Sequence, residues 1–187
     1  MRIVLASQSP RRAALLAMAG IAFDVDPADV DETAHDGERP EPYVRRIARA
    51  KADAVAARHP GRVVLAADTT VVLDDAILAK PADRADAARM LRALAGREHE
   101  VLTGVAIARD GCVEDHVEST RVTVSAMTDR EISAYIDSGE ADDKAGAYGI
   151  QGRAACFIPR IQGSYSNVVG LPVEVVYRML RAGTATR

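Results

Sequence analysis

The sequence contains no tryptophan and few aromatic residues of any kind, since Phe, Trp and Tyr together make up only 4% of the chain. Aromatic rings are the platforms on which single-stranded nucleic acids stack. The charge balance argues the same way, because a formal net charge of −3 creates no global basic field that would gather polyanions. Composition therefore disfavours a nucleic-acid-binding module.

Cysteine is also scarce. The two that occur, Cys112 and Cys156, match neither a zinc spacing nor a redox CxxC pair, and they fit a reducing compartment. No apolar stretch approaches the ~20 residues that a membrane span requires. The opening residues MRIVLASQSPRR lack the order of a secretory signal. We therefore predict a cytoplasmic protein that has no membrane partner.

Three common hydrolase signatures are missing from the chain. It has no G-x-x-x-x-G-K-[ST] loop, which argues against a P-loop NTPase. Its four histidines include no HExxH pair, which argues against a zinc hydrolase. Ser7 and Ser9 have no evident histidine partner, so a serine triad is not indicated.

Strand and helix signals are mixed along the chain. We expect strands over 2–6, within 62–73 and near 153–158, and a hairpin of 98–109 with 112–125 joined at Asp110-Gly111. Helices are expected over 10–19, 42–58, 84–95, 128–138 and 172–181, whereas 23–41 is expected to be mostly loop. This pattern predicts an α/β or α+β domain with a mixed sheet, with all 187 residues in a single domain that could have two lobes.

The segment from Ser7 to Arg12 combines hydroxyls and arginines where a strand ends and a helix begins. Free N–H groups and the helix dipole favour anions at such a point. Arg11 and Arg12 would add planar cationic forks that match phosphate oxygens. An ordinary capped helix with two solvated arginines explains the segment equally well.

Asp68 and Lys51 both carry charge within apolar patterns. Asp68 interrupts the apolar run 63–73, where a carboxylate is costly unless it is paired or bound to a metal. Its alternative is to end one strand and cap a turn. Lys51 falls on the apolar stripe of the helix expected over 42–58, where it either snorkels at the edge or points into a polar cleft.

Three further polar residues are candidates with weaker signals of their own. Glu32 lies in an acidic loop and is a second carboxylate available to a cation. Lys80 follows a short apolar segment and by itself indicates a loop lysine. Gln151 is surrounded by glycines, which let backbone approach a ligand, and its amide could read a base edge. A flexible loop with an exposed glutamine is the alternative.

Taken in order, these segments resemble the Maf family of nucleoside triphosphate pyrophosphatases. The matching pieces are LASQSPRR at the start, DET at 31–33, Lys51-Ala52, AADTTVV at 66–72, Lys80-Pro81 and YGIQGRAACFIPRIQGSYSNVVGLP at 148–172. Each piece is weak alone, and the ordered set is highly specific.

The resemblance implies a fold, a reaction and residue roles. The implied fold is two-lobed and α/β, with a cleft around an elongated mixed sheet like that of the inosine triphosphate pyrophosphatases. The implied reaction is hydrolysis between the α and β phosphates of dTTP and UTP, supported by a divalent cation such as Mg²⁺ or Mn²⁺. By position, Asp68 matches the catalytic acid. Base specificity is implied for Arg11, Thr69 and Gln151, and phosphate contacts for Ser7, Arg12, Lys51 and Lys80.

The motifs and the resemblance together predict a metal-dependent pyrophosphatase with a small-molecule nucleotide as its partner, which could clear non-standard pyrimidine nucleotides. Asp68, with Glu32 as a second candidate, would hold the cation and activate water. The alternative is a non-catalytic nucleotide-binding regulator of cell division, which would have little need of Asp68. A homodimer would be unsurprising.

Overall fold

A computed structural model describes residues 2–182. Within that range the strands are β1 (Ile3–Leu5), β2 (Phe23–Val25), β3 (Val64–Leu73), β4 (Ala76–Leu78), β5 (Glu98–Arg109), β6 (Cys112–Thr123) and β7 (Arg160–Gln162). The helices are α1 (Pro10–Met18), α2 (Pro40–Ala56), α3 (Arg84–Leu94), α4 (Asp129–Asp137), α5 (Tyr165–Val169) and α6 (Val173–Ala182). Two 3₁₀ turns, Ala145–Ala147 and Arg153–Phe157, complete the set.

The strands form one seven-stranded mixed sheet in the order β2-β1-β3-β5-β6-β7, with β4 paired to β3. β1 is parallel to both of its neighbours, and Val4 lies opposite Val64 in the register with β3. β4 is antiparallel to β3, and β7 is antiparallel to β6. The predicted mixed α/β class is confirmed.

Local sequence signals account for several element ends. Asp83 caps α3 by accepting from the Asp86 amide, and Thr128 with Glu131 forms the predicted capping box of α4. The predicted hairpin turn at Asp110-Gly111 is present between β5 and β6, with φ of 50° and 80°. Positive φ at both central residues suits the right-handed twist of a two-stranded ribbon.

The strand expected near 153–158 is wrong, because this segment forms a 3₁₀ turn and the strand comes later, as β7. The turn begins at Gly152, whose φ of 92° is open to glycine. The Arg153 amide then donates to the Glu140 carboxylate at 3.0 Å instead of joining a strand. The loop expected over 23–41 is also shorter than predicted, since it contains β2 at its start and yields to α2 at Pro40.

The chain divides into two compact units, each with its own packed interior. The first is built from the described parts of Met1–Thr69, Thr103–Glu118 and Gly170–Arg187, and the second from Thr70–Leu102 and Ser119–Val169. In the first unit, small side chains let α2 approach the sheet closely: a Cβ added at Gly104 of β5 would lie 2.3 Å from the Val44 carbonyl oxygen. This close approach fixes the height of α2, and hence of Lys51, above the strands.

No helix of residues 2–182 is both long and apolar enough to cross a membrane.

Candidate active site

Asp68 lies inside a continuous strand. β3 runs unbroken from Val64 to Leu73, with Asp68 at its fifth position, so the alternative in which Asp68 ends a strand is wrong. The residue is only 6% exposed. A carboxylate at that depth needs a partner of opposite charge or a bound cation.

Lys51 is that partner. Its Nζ donates to Asp68 Oδ1 at 2.8 Å and lies 2.9 Å from Glu32 Oε1. The residue is 7% exposed, so it points inward and does not snorkel at the edge of its stripe. One ammonium therefore joins a buried carboxylate on a strand to a half-exposed carboxylate on a loop. We call Glu32, Lys51 and Asp68 the charged triad.

Arg12 lies at the third position of α1 and is tied to three parts of the first unit. Its Nε donates to the Gly170 carbonyl at 2.8 Å, Nη1 to Ser7 Oγ at 3.1 Å and Nη2 to Thr69 Oγ1 at 3.1 Å. Three of its five N–H groups are thus engaged, and two remain for other acceptors. Whether or not it contacts phosphate, Arg12 links the start of α1 to β3 and to the segment before α6 by hydrogen bonds.

Electrostatics connect Arg12 to the charged triad. Burial removes water from the guanidinium and lowers the pKa of Arg12, while the negative charges of Asp68 and Glu32 oppose that shift. Arg11 follows Pro10 in α1, and its positive charge acts in the same direction as burial. The first unit therefore concentrates several cations around two carboxylates, which suits a polyanionic ligand that brings its own cation.

The start of α1 is already capped by the chain itself. Ser9 Oγ accepts from the Arg12 amide at 3.4 Å, and the Ser9 amide donates to Ser7 Oγ at 3.2 Å. Pro10 has no N–H to offer. Anion binding here would depend on arginine side chains more than on the helix terminus.

The hydroxyl of Thr69 is also well occupied. It accepts from Arg12 and lies 2.9 Å from Thr103 Oγ1. It also donates to the Gly170 carbonyl oxygen at 3.3 Å. With one proton and two lone pairs, it has little capacity left for a base. The predicted specificity role of Thr69 stays a prediction.

Sequence reasoning missed Tyr43 as a neighbour of the charged triad. It is buried on α2, eight residues before Lys51, and its hydroxyl donates to the Glu32 carbonyl at 3.0 Å. Burial, helped by the charges of Asp68 and Glu32, raises the pKa of Tyr43 to about 12, so the hydroxyl remains a donor at neutral pH. Its place on the same helix face as Ile47 and Lys51 was the available signal.

Lys80 and Gln151 belong to the second unit, where both are exposed. Lys80 lies two residues after the end of β4. Gln151 lies in a turn that is held on one side by the Gly149 amide, which donates to Tyr135 Oη at 3.3 Å. On the other side Glu140 accepts from the Arg153 amide. Their assigned contacts with phosphate and base remain predictions that depend on the resemblance.

Whether the residues suit a divalent cation can be judged from their donor chemistry. Among residues 2–182 no group of three His, Cys, Asp or Glu side chains is arranged to hold a metal ion. Glu32 and Asp68 nevertheless both approach one positive centre, the Lys51 ammonium. Mg²⁺ commonly takes one or two carboxylates and completes its shell with substrate phosphates and water. Two hard oxygen donors beside the cationic side chains of Lys51 and Arg12 fit that mode of binding.

Comparison with known proteins gives consistent results over nearly the whole chain. The family model described as Maf-like protein matches residues 2–183. A Koribacter versatilis protein named dTTP/UTP pyrophosphatase is 52% identical over 97% of this chain and 94% of its own length. A Myxococcus xanthus protein of the same name is 54% identical over 97% of this chain and 92% of its own length.

A solved structure, that of the Staphylococcus aureus Ham1 protein, also matches in part. It is 16% identical in sequence, covers 66% of this chain and 72% of its own, and superposes with a TM-score of 0.44.

Proposed function

The chain belongs to the family of Maf-like proteins, and from this premise we propose that it hydrolyses dTTP and UTP to the nucleoside monophosphate and pyrophosphate. Curated relatives that are more than half identical to this chain carry the name dTTP/UTP pyrophosphatase. The structural observation that carries the proposal is the charged triad, in which Lys51 joins buried Asp68 to Glu32 beside Arg12.

The geometry favours catalysis over simple binding. The carboxylate of Asp68 opposes anion binding, because its negative charge repels phosphate oxygens. A pure nucleotide binder would be better served by a neutral residue at this position. A hydrolase needs such a carboxylate to take a proton from water.

In the proposed reaction, Asp68 acts as the general base. Lys51 holds Oδ1, which directs the proton of the attacking water to Oδ2. The water oxygen bonds to the α-phosphorus while the bond from that phosphorus to the α–β bridging oxygen breaks. Pyrophosphate leaves with the electron pair. Arg12 and Arg11 would neutralise negative charge that builds on the phosphate oxygens, and such fixed charges are usually a large part of catalysis.

We propose that a divalent cation, Mg²⁺ or Mn²⁺, binds through Asp68 and Glu32 together with phosphate oxygens. Such an ion supplies charge neutralisation and polarises the phosphoryl group. Lys51 would keep the two carboxylates together when no cation is bound, since its ammonium lies within 3 Å of each.

For base choice we propose Gln151, with Arg11 and Thr69, on the strength of the family resemblance. Lys80 and Ser7 are proposed as phosphate contacts on the same ground. The amide of Gln151 offers both a donor and an acceptor, which is what a pyrimidine edge requires.

The direct test is a panel of nucleoside triphosphates incubated with the protein and Mg²⁺, with pyrophosphate release as the readout. We expect turnover of dTTP and UTP well above that of ATP, GTP and CTP, and loss of turnover when EDTA removes the cation. Tight nucleotide binding without turnover of any member of the panel would instead favour the regulator.

A further inference from the structure

Glu32 is the one member of the charged triad that does not lie on a helix or a strand. It lies between β2 and α2, in a stretch without regular secondary structure, and its side chain is 51% exposed. A residue on such a segment would lose considerable conformational freedom on being held in one place. Something other than its own backbone pairing must fix its carboxylate beside Lys51.

Two side chains of helix α2 bind the backbone of the loop at Glu32 and Thr33. The Tyr43 hydroxyl donates to the Glu32 carbonyl oxygen at 3.0 Å, and Arg46 Nη2 donates to the Thr33 carbonyl oxygen at 3.1 Å. These are two consecutive carbonyls of the loop, bound by two side chains three residues apart on one helix. Residues at that spacing lie on the same helix face.

The same arginine also anchors the far end of the loop. Arg46 Nε donates to Glu38 Oε1 at 2.7 Å and its Nη2 to Glu38 Oε2 at 2.5 Å. Glu38 Oε2 accepts in turn from the His35 amide at 3.0 Å. A two-point pairing of guanidinium with carboxylate fixes orientation as well as distance. The guanidinium lies 5.8 Å from the centre of the Tyr43 ring, so the two gripping side chains also support each other.

We propose that Tyr43 and Arg46 are positioning residues that hold the loop 31–38 so that the Glu32 carboxylate meets Lys51. Neither side chain needs to touch the nucleotide. Helix α2 then holds the Glu32–Thr33 segment at three points. Tyr43 binds the Glu32 carbonyl, Arg46 binds the Thr33 carbonyl and Lys51 binds the Glu32 carboxylate. The inference rests on the proposed function, because it assigns a catalytic purpose to the position of Glu32.

The first test is Tyr43→Phe, which removes the donor and keeps the ring. We expect kcat for dTTP to fall about fivefold with KM changed by less than about twofold, as one hydrogen bond is lost. The thermal midpoint should stay close to that of the wild type. Tyr177→Phe, the same change at an exposed tyrosine of α6, is the matched control and should leave kcat unaltered.

A double-mutant cycle separates positioning from a general structural effect. In a Glu32→Gln background, Tyr43→Phe should lower kcat by less than about twofold, because the carboxylate that it positions is already gone. A full additive loss in the double variant would mean that Tyr43 acts independently of Glu32 and would overturn the inference.

Amide hydrogen exchange of the nucleotide-free protein tests the geometry without any turnover. In Arg46→Ala the amides of residues 33–38 should exchange at least about tenfold faster, while those of β3 stay protected. Arg46→Lys should restore part of that protection, since it can keep one of the lost contacts. Unchanged exchange in Arg46→Ala would overturn the inference.

These outcomes distinguish the two proposals. If the wild-type protein hydrolyses dTTP and Glu32→Gln is impaired while Tyr43→Phe is normal, only the positioning inference fails. If the wild-type protein hydrolyses no nucleotide, the proposed function fails and the inference fails with it, whatever the exchange rates.

Discussion

Each of the two compact units buries a pair of polar side chains to a similar depth, but the pair is charged in the first unit and neutral in the second. In the first unit Lys51 and Asp68, which are 7% and 6% exposed, form an ion pair. In the second unit His99 and Tyr148, which are 3% and 7% exposed, form a hydrogen bond of 2.7 Å between Nε2 and Oη, with the two rings edge to face.

The difference lies in whether the buried partners carry charge. Burial lowers the pKa of His99 to about 4 and raises the pKa of Tyr148, so both are neutral near pH 7. The hydrogen bond satisfies His99 Nε2 and the Tyr148 hydroxyl, whereas His99 Nδ1 is buried without a hydrogen-bond partner among the described residues. A neutral hydrogen-bonded pair still costs less to bury than separate charges. A buried ion pair adds little net stability, because desolvation offsets the attraction between the charges. Its retention in the first unit is therefore better explained by chemistry than by folding.

Asp68→Asn should give the largest effect, because it removes the negative charge of the buried ion pair in the first unit. We expect kcat for dTTP to fall by about a thousandfold or more, since the amide cannot take a proton from water. Nucleotide affinity should be retained, and it is measured by calorimetry with a non-hydrolysable analogue. Asp24→Asn, at an exposed ion pair with Arg2, is the matched control. Normal turnover of Asp68→Asn would remove this carboxylate from the mechanism.

Lys51→Met should give the next largest effect, and it should lower stability as well as turnover. It leaves Asp68 buried without its partner, which costs about 3–5 kcal/mol of unfolding free energy. Denaturant unfolding measures the loss. The double variant Lys51→Met/Asp68→Asn should recover a large part of it, because no uncompensated charge remains. If the double variant is as unstable as Lys51→Met, packing and not charge accounts for the effect.

The buried histidine of the second unit should make the free energy of unfolding depend on pH. His99 has a folded pKa of about 4 against an ordinary value of 6.5, so the unfolded chain takes up a proton first as pH falls. The stability that this residue contributes is complete above pH 6.5 and is lost progressively toward pH 4, with a slope that approaches about 1.4 kcal/mol per pH unit. Urea unfolding at several pH values measures it. His99→Gln should flatten the slope in this window, and an unchanged slope would contradict the assignment.

Tyr148→Phe should give the smallest change. It leaves His99 Nε2 buried without its partner and should lower unfolding free energy by about 1–2 kcal/mol. Turnover of the folded protein should be much less affected than in either variant of the ion pair. Tyr177→Phe again serves as the control, and a loss no greater than in the control would mean that the hydroxyl of Tyr148 contributes nothing.

Local chemistry made much of the fold predictable. The turn at Asp110-Gly111, the cap at Asp83 and the box formed by Thr128 and Glu131 depend on residues close in sequence, and all three are present. The 3₁₀ turn at 153–157 was mistaken for a strand because it is held by Glu140, more than ten residues away. Periodicity cannot reveal such a partner.

The site shows the same division between local and distant information. The apolar stripe of α2 indicated which face carries Lys51, but the partner of Lys51 lies 17 residues away on β3, and helix–sheet packing decides it. The run around Asp68 left two strand arrangements open, and the structure has the continuous one, with β3 lying between β1 and β5 in the sheet. Such pairing between distant strands is not encoded in the run itself. Tyr43 was missed because a tyrosine on an apolar face usually indicates core alone.

The carbonyl of Gly170 has a consequence for the order of events during synthesis. It accepts from the Arg12 side chain across 158 residues of sequence. At a translation rate of about 5–20 residues per second, Arg12 is made roughly 8–30 seconds before that acceptor exists. Until then the nascent chain can hold this arginine only through Ser7 and Thr69, and its Nε lacks an acceptor. Full nucleotide hydrolysis is therefore expected only once the segment leading into α6 has been made.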